Sequence, residues 1–562
     1  MAEELLRWET NPGSDIDEVD VGPSTIHAAV NDFEDIPPQL RNVLNEMDSR
    51  DDIALRELAN DDMLDFNWSS DPSVFIGQRE VFVGQPGPTF PVQNFTPLEI
   101  LQKIWDSDII TLIVAETNRY AEDLKNDPRI KSHASIKKWT PISDRELWSF
   151  LGICMLQSLI PLPVEAEYWK PRFTYLKFGV FEDIMSFNRF KSIKRCLHFV
   201  DNLALSFDNG TPNRLAKIQP ILDHLSSKFS SLYLPEQEIA IDESLLLWKG
   251  RLSFAQLINT KAARVGIKSY ELCESKSGYL WSMIMYAGKN QAMAVDTHDD
   301  RGDTEPEGAT SKIVFKLVRP LLGQGYTLVM DNFYNSPLLS RALKSQKTDT
   351  MGTLRLNREF VPDSLRSKNK TNMRTGEVAF SQTKDMTIAV WKDANVVSLI
   401  STFHGVEVGG KEKYGYYRYK PKVVLDYNLA MGGVDKKDQL LQAFPVERIR
   451  NQVWYKKLFR RLLNVSIHNA HVIFTTSTKI SAREFRYRLA DEILQKYTTI
   501  PPRTAVVPSA AHHFPAKTGK RKSRCQWCSL KKKDVCTVYK CETCNMNLCI
   551  PNCFKEYHIS RM

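Results

Sequence analysis

No run of 18 or more apolar residues occurs anywhere in the 562-residue chain, so no stretch reads as a membrane-spanning helix. The opening residues, MAEELLRWET, lack the basic-then-apolar order of a secretory signal, and an intracellular protein is expected. Internal repeats are absent, which sets aside solenoids and propellers. Lysine is missing from residues 1–65, where 18 Asp or Glu face 4 Arg and leave a net charge of −14. Since the whole chain stands at +8, the remainder carries +22, a balance that suits a polyanionic partner. Cysteine is scarce before residue 525. Cys154, Cys196 and Cys273 read as small buried hydrophobes, while the other seven lie between Cys525 and Cys553. In an intracellular chain such a cluster reads as a metal site and not as disulfides.

The length implies two to four domains. Residues 1–92 are acidic and include the Gly/Pro-rich GQPGPTFP at 84–91, so a largely disordered arm is expected, with a short helix near 39–60. From Pro97 apolar residues recur at helical spacing, and helices are expected at 144–158, 187–198 and 213–233. Residues 93–236 thus read as all-helical, with exposed Lys, Arg and aromatic side chains. At 237 the pattern changes to strands: IAID, VGIKSYELCES, GYLWSMIMYAG and YTLVMDNFYNS. Helices at 311–322 and 336–346 interrupt this run, which makes an α/β layer. A polar, β-leaning region at 356–420 follows, then a basic amphipathic helix at 453–474, a basic linker at 501–524 and the cysteine-rich segment 525–562.

Three aspartates share one local setting. Asp242 ends IAID, Asp331 ends TLVMD, and Asp435 follows MGGV and precedes Asp438. Two carboxylates at the ends of apolar strands, with a third beside a glycine turn that opens a helix, could converge on one face of a sheet. Converging carboxylates repel unless a cation neutralises them, and oxygen-only ligands favour Mg²⁺ or Mn²⁺. Two such ions can activate a nucleophile and stabilise the leaving oxygen in phosphodiester chemistry. The plainer reading makes Asp242 and Asp331 salt-bridge partners and Asp435 a helix cap.

The blocks IDESLLLWKGRLSF, KAARVGIKSYELCES, VMDNFYNSPLL, MGTLRLN and YNLAMGGVDKKDQ, followed by a C-terminal cysteine module, resemble the piggyBac transposase family in content and order. The resemblance covers about 93–562 and implies a retroviral-integrase-like RNase H core. In it Asp242, Asp331 and Asp435 take the place of a catalytic triad that binds two Mg²⁺ (or Mn²⁺) ions, with Asp438 as a nearby fourth aspartate. The implied activity is cleavage at transposon ends through a hairpin intermediate and joining at TTAA targets. The implied division is a helical dimerisation and DNA-binding domain (93–236 and 446–500), a catalytic domain (237–355 and 421–445) and an insertion at 356–420. Its basic stretch Arg448–Arg461 would belong to the DNA-binding part. Trp454 matches a family tryptophan near the hairpin, though VWYKKLF also suits a core residue. Arg355 and Arg358 match basic DNA contacts, and Arg251, Lys261, Arg264 and Lys268 are further candidate phosphate contacts.

The spacings Cys525-x2-Cys528, Cys541-x2-Cys544 and Cys549-x3-Cys553, with His558 beyond, are zinc spacings. Two tetrahedral Zn²⁺ sites need eight ligands, and the eighth could be His513, His512 or Cys536. By resemblance to the family the pairing is a cross-brace, Cys525/Cys528 with Cys549/Cys553 and Cys541/Cys544 with His558. A RING or PHD module would use similar ligands. Residues 517–533 hold eight basic and no acidic residues, a composition that fits DNA binding and nuclear import. The expectation is therefore a nuclear, homodimeric, Mg²⁺-dependent DNA transposase acting on double-stranded DNA, with neither a membrane nor a small-molecule substrate as partner. A domesticated relative that binds DNA or chromatin without transposing is the competing reading, and an unrelated metal-dependent nuclease a third.

Overall fold

In a computed structural model, residues 61–559 are described apart from 174, 176–177, 206, 209–210, 259–263, 289–308, 414–415, 449–452, 499–512, 520–521 and 543. The helix expected near 39–60, Lys261 and His512 lie outside the described residues.

The helical layer comprises α1 (Pro97–Ile104), α2 (Ser107–Asn126), α3 (Asp144–Leu159), α4 (Phe187–Cys196) and α5 (Gln219–Leu232). The start of α1 is fixed by a capping box: Thr96 Oγ1 accepts from the Glu99 amide, and the Glu99 carboxylate accepts from the Thr96 amide. The aromatic side chains expected on its surface are instead inside. Trp139, Trp148, Tyr168, Trp169, Phe181 and Phe190 are buried in one continuous core. Their area is too large to leave in water when facing helices can cover it.

The second layer is one twisted sheet. Its strands are β1 (Glu238–Leu247), β2 (Val265–Glu274), β3 (Leu280–Met285), β4 (Thr327–Met330), β5 (Asp349–Thr353), β6 (Val378–Gln382), β7 (Thr387–Lys392) and β8 (Val396–Ser401). They run in the order β6-β7-β8-β5-β4-β1-β2, with β3 and the two-residue strand Gln256–Leu257 both on β2. The pairs β1–β4 and β4–β5 are parallel and the rest antiparallel. Between the strands come α6 (Ala309–Val318) and α7 (Pro337–Ser345), the latter opened by the Ser336 hydroxyl, which accepts from the Leu339 amide. The region expected as an insertion at 356–420 contributes β6–β8 to this same sheet and adds a small core around Leu354, Met386, Ile388 and Ile400.

After the sheet come α8 (Lys422–Ala430), α9 (Gly433–Ala443), α10 (Trp454–Thr475) and α11 (Ala482–Tyr497). The basic stretch of α10 does not face solvent. Lys456, Lys457, Arg460 and Arg461 are buried, because α10 runs between the helical layer and the sheet. Lys456 Nζ donates to the Arg195 carbonyl at 2.6 Å, and Arg460 lies 3.8 Å from Glu165. At the other end His468 Nε2 meets the Gly278 carbonyl at 3.0 Å, and Asn469 bonds both the amide and the carbonyl of Leu280.

The arm expected to be disordered over 1–92 is laid along the sheet from residue 61 onward. Phe66 stacks on Phe360 with centroids 4.7 Å apart, and Ser69 bridges Gln382 on β6. Arg79 Nη2 donates to Thr327 Oγ1 at 3.0 Å, and the Glu80 amide donates to Asp349 Oδ2 at 2.6 Å. Phe66, Trp68 and Phe82 supply the apolar anchors that the acidic composition hid.

Candidate active site and metal-binding module

Asp242 stands in mid-strand. β1 continues to Leu247 because β2 stays paired with it as far as Leu247↔Gly266, whereas β4 stops at Met330, opposite Ile241. The strand end expected at Asp242 is thus the end of β4, and Asp331 follows it directly. The two aspartates come level where β1 loses its parallel neighbour. Alternation then fixes their face. Ala240 and Val329 pack against Tyr427 and Ala430 of α8, and Asp242 and Asp331 lie two residues further along. Asp242 Oδ1 accepts from the Glu243 amide at 2.7 Å, and Asp331 Oδ1 from the Phe333 amide at 2.9 Å.

Asp435 is exposed in the first turn of α9, which packs on β1 and β2. The glycines before it have a steric cause. A Cβ on Gly433 would lie 3.0 Å from the Glu274 carbonyl, and one on Gly278, whose φ is +75°, 3.0 Å from the Gly433 carbonyl. The start of α9 is thereby pressed against the β2–β3 turn. Tyr427 senses all three carboxylates: burial pushes its phenol up to about 12, and Asp331, Asp242 and Asp435 each add to the rise. The three are gathered but not closed. Among the described residues, sets of three or more His, Cys, Asp or Glu donor atoms lying mutually within 4.8 Å occur only in the C-terminal module.

Asp438, expected beside the triad, is held from three sides. Its carboxylate accepts from Ser244 Oγ at 2.9 Å and from Arg461 Nη2 at 2.5 Å, and lies 3.1 Å from Lys437 Nζ. Burial alone would raise its pKa, but Lys437 and Arg461 outweigh burial and hold the carboxyl below its ordinary value. Lys437 is fully buried and also contacts Glu271, which sits directly across from Asp242 in the β1–β2 register. Sequence reasoning missed Lys437, Glu271, Arg461 and Tyr427. The alternation Ser269, Glu271 in β2, polar on the face where Asp242 lies, was the signal that could have found Glu271.

The described members of the expected DNA contacts fall into three classes of exposure. Arg251 and Arg264 are exposed, Arg264 with a left-handed φ of 34°. Lys268, Arg355 and Trp454 are half-buried. Lys268 lies 3.3 Å from Glu243 and over the Tyr270 ring, on the sheet face opposite Asp242. Trp454 packs edge-on against Phe254, with centroids 5.3 Å apart. Arg358 departs from expectation: it is 2% exposed and donates to the Phe333 carbonyl at 2.6 Å, beneath the loop that carries Asp331. Its guanidinium supports that loop from below.

In the C-terminal module the eight expected ligands form two groups, Cys525, Cys528, Cys549 and Cys553, and His513, Cys541, Cys544 and His558. Cys528 and Cys553 sulfurs are 3.4 Å apart, Cys544 Sγ is 3.3 Å from His558 Nε2, and Cys541 Sγ is 3.2 Å from His513 Nδ1. A tetrahedral Zn²⁺ with bonds of about 2.0–2.3 Å places its ligands roughly 3.3–3.8 Å apart, so both sets fit such an ion. The groups interleave along the chain, and His558 is delivered by α12 (Asn552–Ile559). Cys536 is exposed and outside both groups.

A family model described as Transposase IS4 matches residues 96–471, which takes in the aspartate strands, α9 and most of α10. Human PiggyBac transposable element-derived protein 3 is 26% identical over 497 residues, covering 84% of this chain and 78% of that protein. The chain belongs to the piggyBac transposase family. Human PiggyBac transposable element-derived protein 2 is 24% identical over 414 residues, 71% of this chain and 65% of that one. A piggyBac transposase solved by cryo-EM as a synaptic complex with hairpin DNA matches 83% of this chain and 98% of its own, with a TM-score of 0.63. At 22% identity that likeness is one of fold. The mixed α/β architecture described above is therefore a piggyBac-family fold, and among its described residues no helix is long and apolar enough to cross a membrane.

Proposed function

We propose that this chain is a DNA transposase of piggyBac type, nuclear and homodimeric, that cuts transposon ends through a hairpin and joins them at TTAA. The observation that carries the reading is the meeting of Asp242 and Asp331 at the end of β4, and it is supported by Asp435 in the first turn of α9, which packs on β1 and acts with them on Tyr427. The strand order β3-β2-β1-β4-β5, antiparallel then parallel, supports an RNase H-like core. Asp242, Asp331 and Asp435 offer only oxygen donors, a set suited to Mg²⁺ or Mn²⁺. A bound pair of ions would neutralise their repulsion, activate water or a 3′-OH and stabilise the leaving oxygen. In each step a hydroxyl oxygen forms a new bond to phosphorus while the bridging P–O bond breaks, and the departing oxygen leaves as a free 3′-OH or alkoxide to be protonated.

The other residues position DNA. Exposed Arg251 and Arg264 are offered to phosphates, and the half-buried Trp454 offers a stacking face to an unpaired base, worth about 1–3 kcal/mol. The cysteine module, read as a two-zinc domain with a basic flank, is assigned to recognition of the transposon end and to nuclear import. A second reading, a domesticated DNA-binding protein, is favoured by the relatives' names, which call them transposable element-derived.

Excision decides between them. With DNA carrying the ends that flank the coding sequence, wild type should cut in Mg²⁺, and Asp331→Ala should lower cutting at least ~10³-fold while DNA binding persists. Cutting that survives in Asp331→Ala refutes the assignment. Wild type that binds these ends and leaves them intact establishes the binding-protein reading.

A further inference from the structure

The catalytic face carries more carboxylates than the triad needs. Asp242 faces Glu271 across the β1–β2 ladder, and two residues along, Ser244 faces Ser269. Ser269 Oγ donates to Glu271 Oε1 at 2.7 Å, and Ser244 Oγ to Asp438. Between these two carboxylates lies Lys437, fully buried and in contact with both Glu271 and Asp438. Arg461 of α10 closes the group, with Nη2 on Asp438 at 2.5 Å and Nη1 on Glu447 at 3.1 Å. Side chains from β1, β2, α9 and α10 thus meet in one buried ionic network, and Asp435 lies within one helical turn of its two α9 members, Lys437 and Asp438.

We propose that this network is an ionic lock in which Arg461 acts as a positioning residue, setting α9 so that Asp435 comes within reach of a divalent cation held by Asp242 and Asp331. Asp438 is then an anchor of the catalytic helix and not an ion ligand, since Ser244, Lys437 and Arg461 already take its oxygens. The polarity of the network fits this role. Lys437 neutralises Glu271, the carboxylate nearest Asp242 along the ladder, and so keeps a fourth negative charge from competing for the cation. The same α10 begins at Trp454 and grips the β2–β3 turn through His468 and Asn469. A shift of α10 on DNA would therefore move the anchor of Asp435. The inference rests on the triad reading given above.

The test is Mn²⁺ binding by the full chain, read by electron paramagnetic resonance without DNA, with Asp331→Ala as the blank for the triad site. Arg461→Met should weaken the Asp331-dependent binding about tenfold, Arg461→Lys should restore most of it, and circular dichroism should show both folded. Asp438→Asn, which keeps the volume, should weaken binding less than Asp435→Asn does. Should Arg461→Met unfold, the Asp438→Asn/Arg461→Met pair, which removes both charges, serves in its place and should show the same tenfold loss. Asp331-dependent binding equal to wild type in the folded variants overturns the lock alone. If wild type binds no more Mn²⁺ than Asp331→Ala, the triad reading fails, and the lock falls with it.

Discussion

Replacing Lys437 by Met leaves Glu271 and Asp438 facing each other across a buried space. The Lys437 ammonium is 3.1 Å from Asp438 Oδ1 and in closer contact with Glu271 Oε2, and its side chain is fully buried. At an effective dielectric constant near 20, one ion pair at this distance amounts to about 5 kcal/mol of gross attraction. The desolvation of both partners cancels part of that, and removing one member of a buried pair costs about 3–5 kcal/mol in practice. Asp438 keeps Arg461, so the stranded charge is Glu271, and the lower half of that range applies. Urea unfolding followed by circular dichroism measures the loss. The double variant Lys437→Met/Glu271→Gln should recover about 2 kcal/mol of it, since no uncompensated charge then remains. Acid provides a second check. The Asp438 carboxyl is held below 3.8, so its contribution is complete above that value and disappears as pH falls through the folded-state value. In Lys437→Met, where the carboxyl is less depressed, this loss should be smaller and complete at higher pH. A single variant within 1 kcal/mol of wild type, or no recovery in the double, would refute the network as described.

Metal content should be about two Zn²⁺ per chain by mass spectrometry of the ions, and Cys541→Ser should retain one, held by Cys525, Cys528, Cys549 and Cys553. A chelator should unfold residues 513–559 while leaving the sheet intact, visible as new proteolytic cuts confined to the C-terminus. Burial first, then His471, Arg486 and Lys437, push His468 down to about 3, so the imidazole stays neutral where a free histidine charges. As pH falls from 6.5 toward 3, the unfolded chain takes up that proton first, and stability should drop by about 1.4 kcal/mol per pH unit. His468→Gln should flatten this slope; an NMR titration with an apparent pKa near 6.5 for His468 in the wild type contradicts it.

Local pattern was legible where one chemistry governs a segment. The cysteine ligands group as their spacing and the family likeness implied, because thiolates at such intervals have few alternatives to a shared ion. The aspartates at 242 and 331 were legible for a similar reason, as carboxylates interrupting apolar runs. The strand end assigned to Asp242 was misplaced because LLLW continues the strand against β2, a partner that lies 20 residues downstream and that periodicity alone does not reveal. Charge misled in two places. The stretch Arg448–Arg461 reads as a DNA-facing surface, yet the cations of α10 are spent on carbonyls and carboxylates of three other elements. The acidic run before residue 92 reads as unstructured, yet Phe66, Trp68 and Phe82 tie its last third to the sheet.

These two errors have one cause, and it bears on how the site is built. Composition reports how many charges a segment carries, whereas burial depends on whether each finds a partner from elsewhere in the chain. Arg461 is buried because Asp438 and Glu447 meet it, and Arg358 because the Phe333 carbonyl does. Both cations therefore lie beneath the carboxylates: Arg358 holds the loop of Asp331, and Arg461 the helix of Asp435. Arg251 and Arg264, by contrast, are exposed, as are Asp435 and Lys436 beside it. Part of the positive charge counted in the sequence is accordingly spent inside the fold, as at Arg358, Lys437 and Arg461. Substituting Arg251 should therefore change the salt dependence of binding by about one unit, while substituting Arg358 should change stability and leave that slope unaltered. A salt titration of DNA affinity separates the two, and a loss of slope in folded Arg358→Ala would return that residue to the DNA surface.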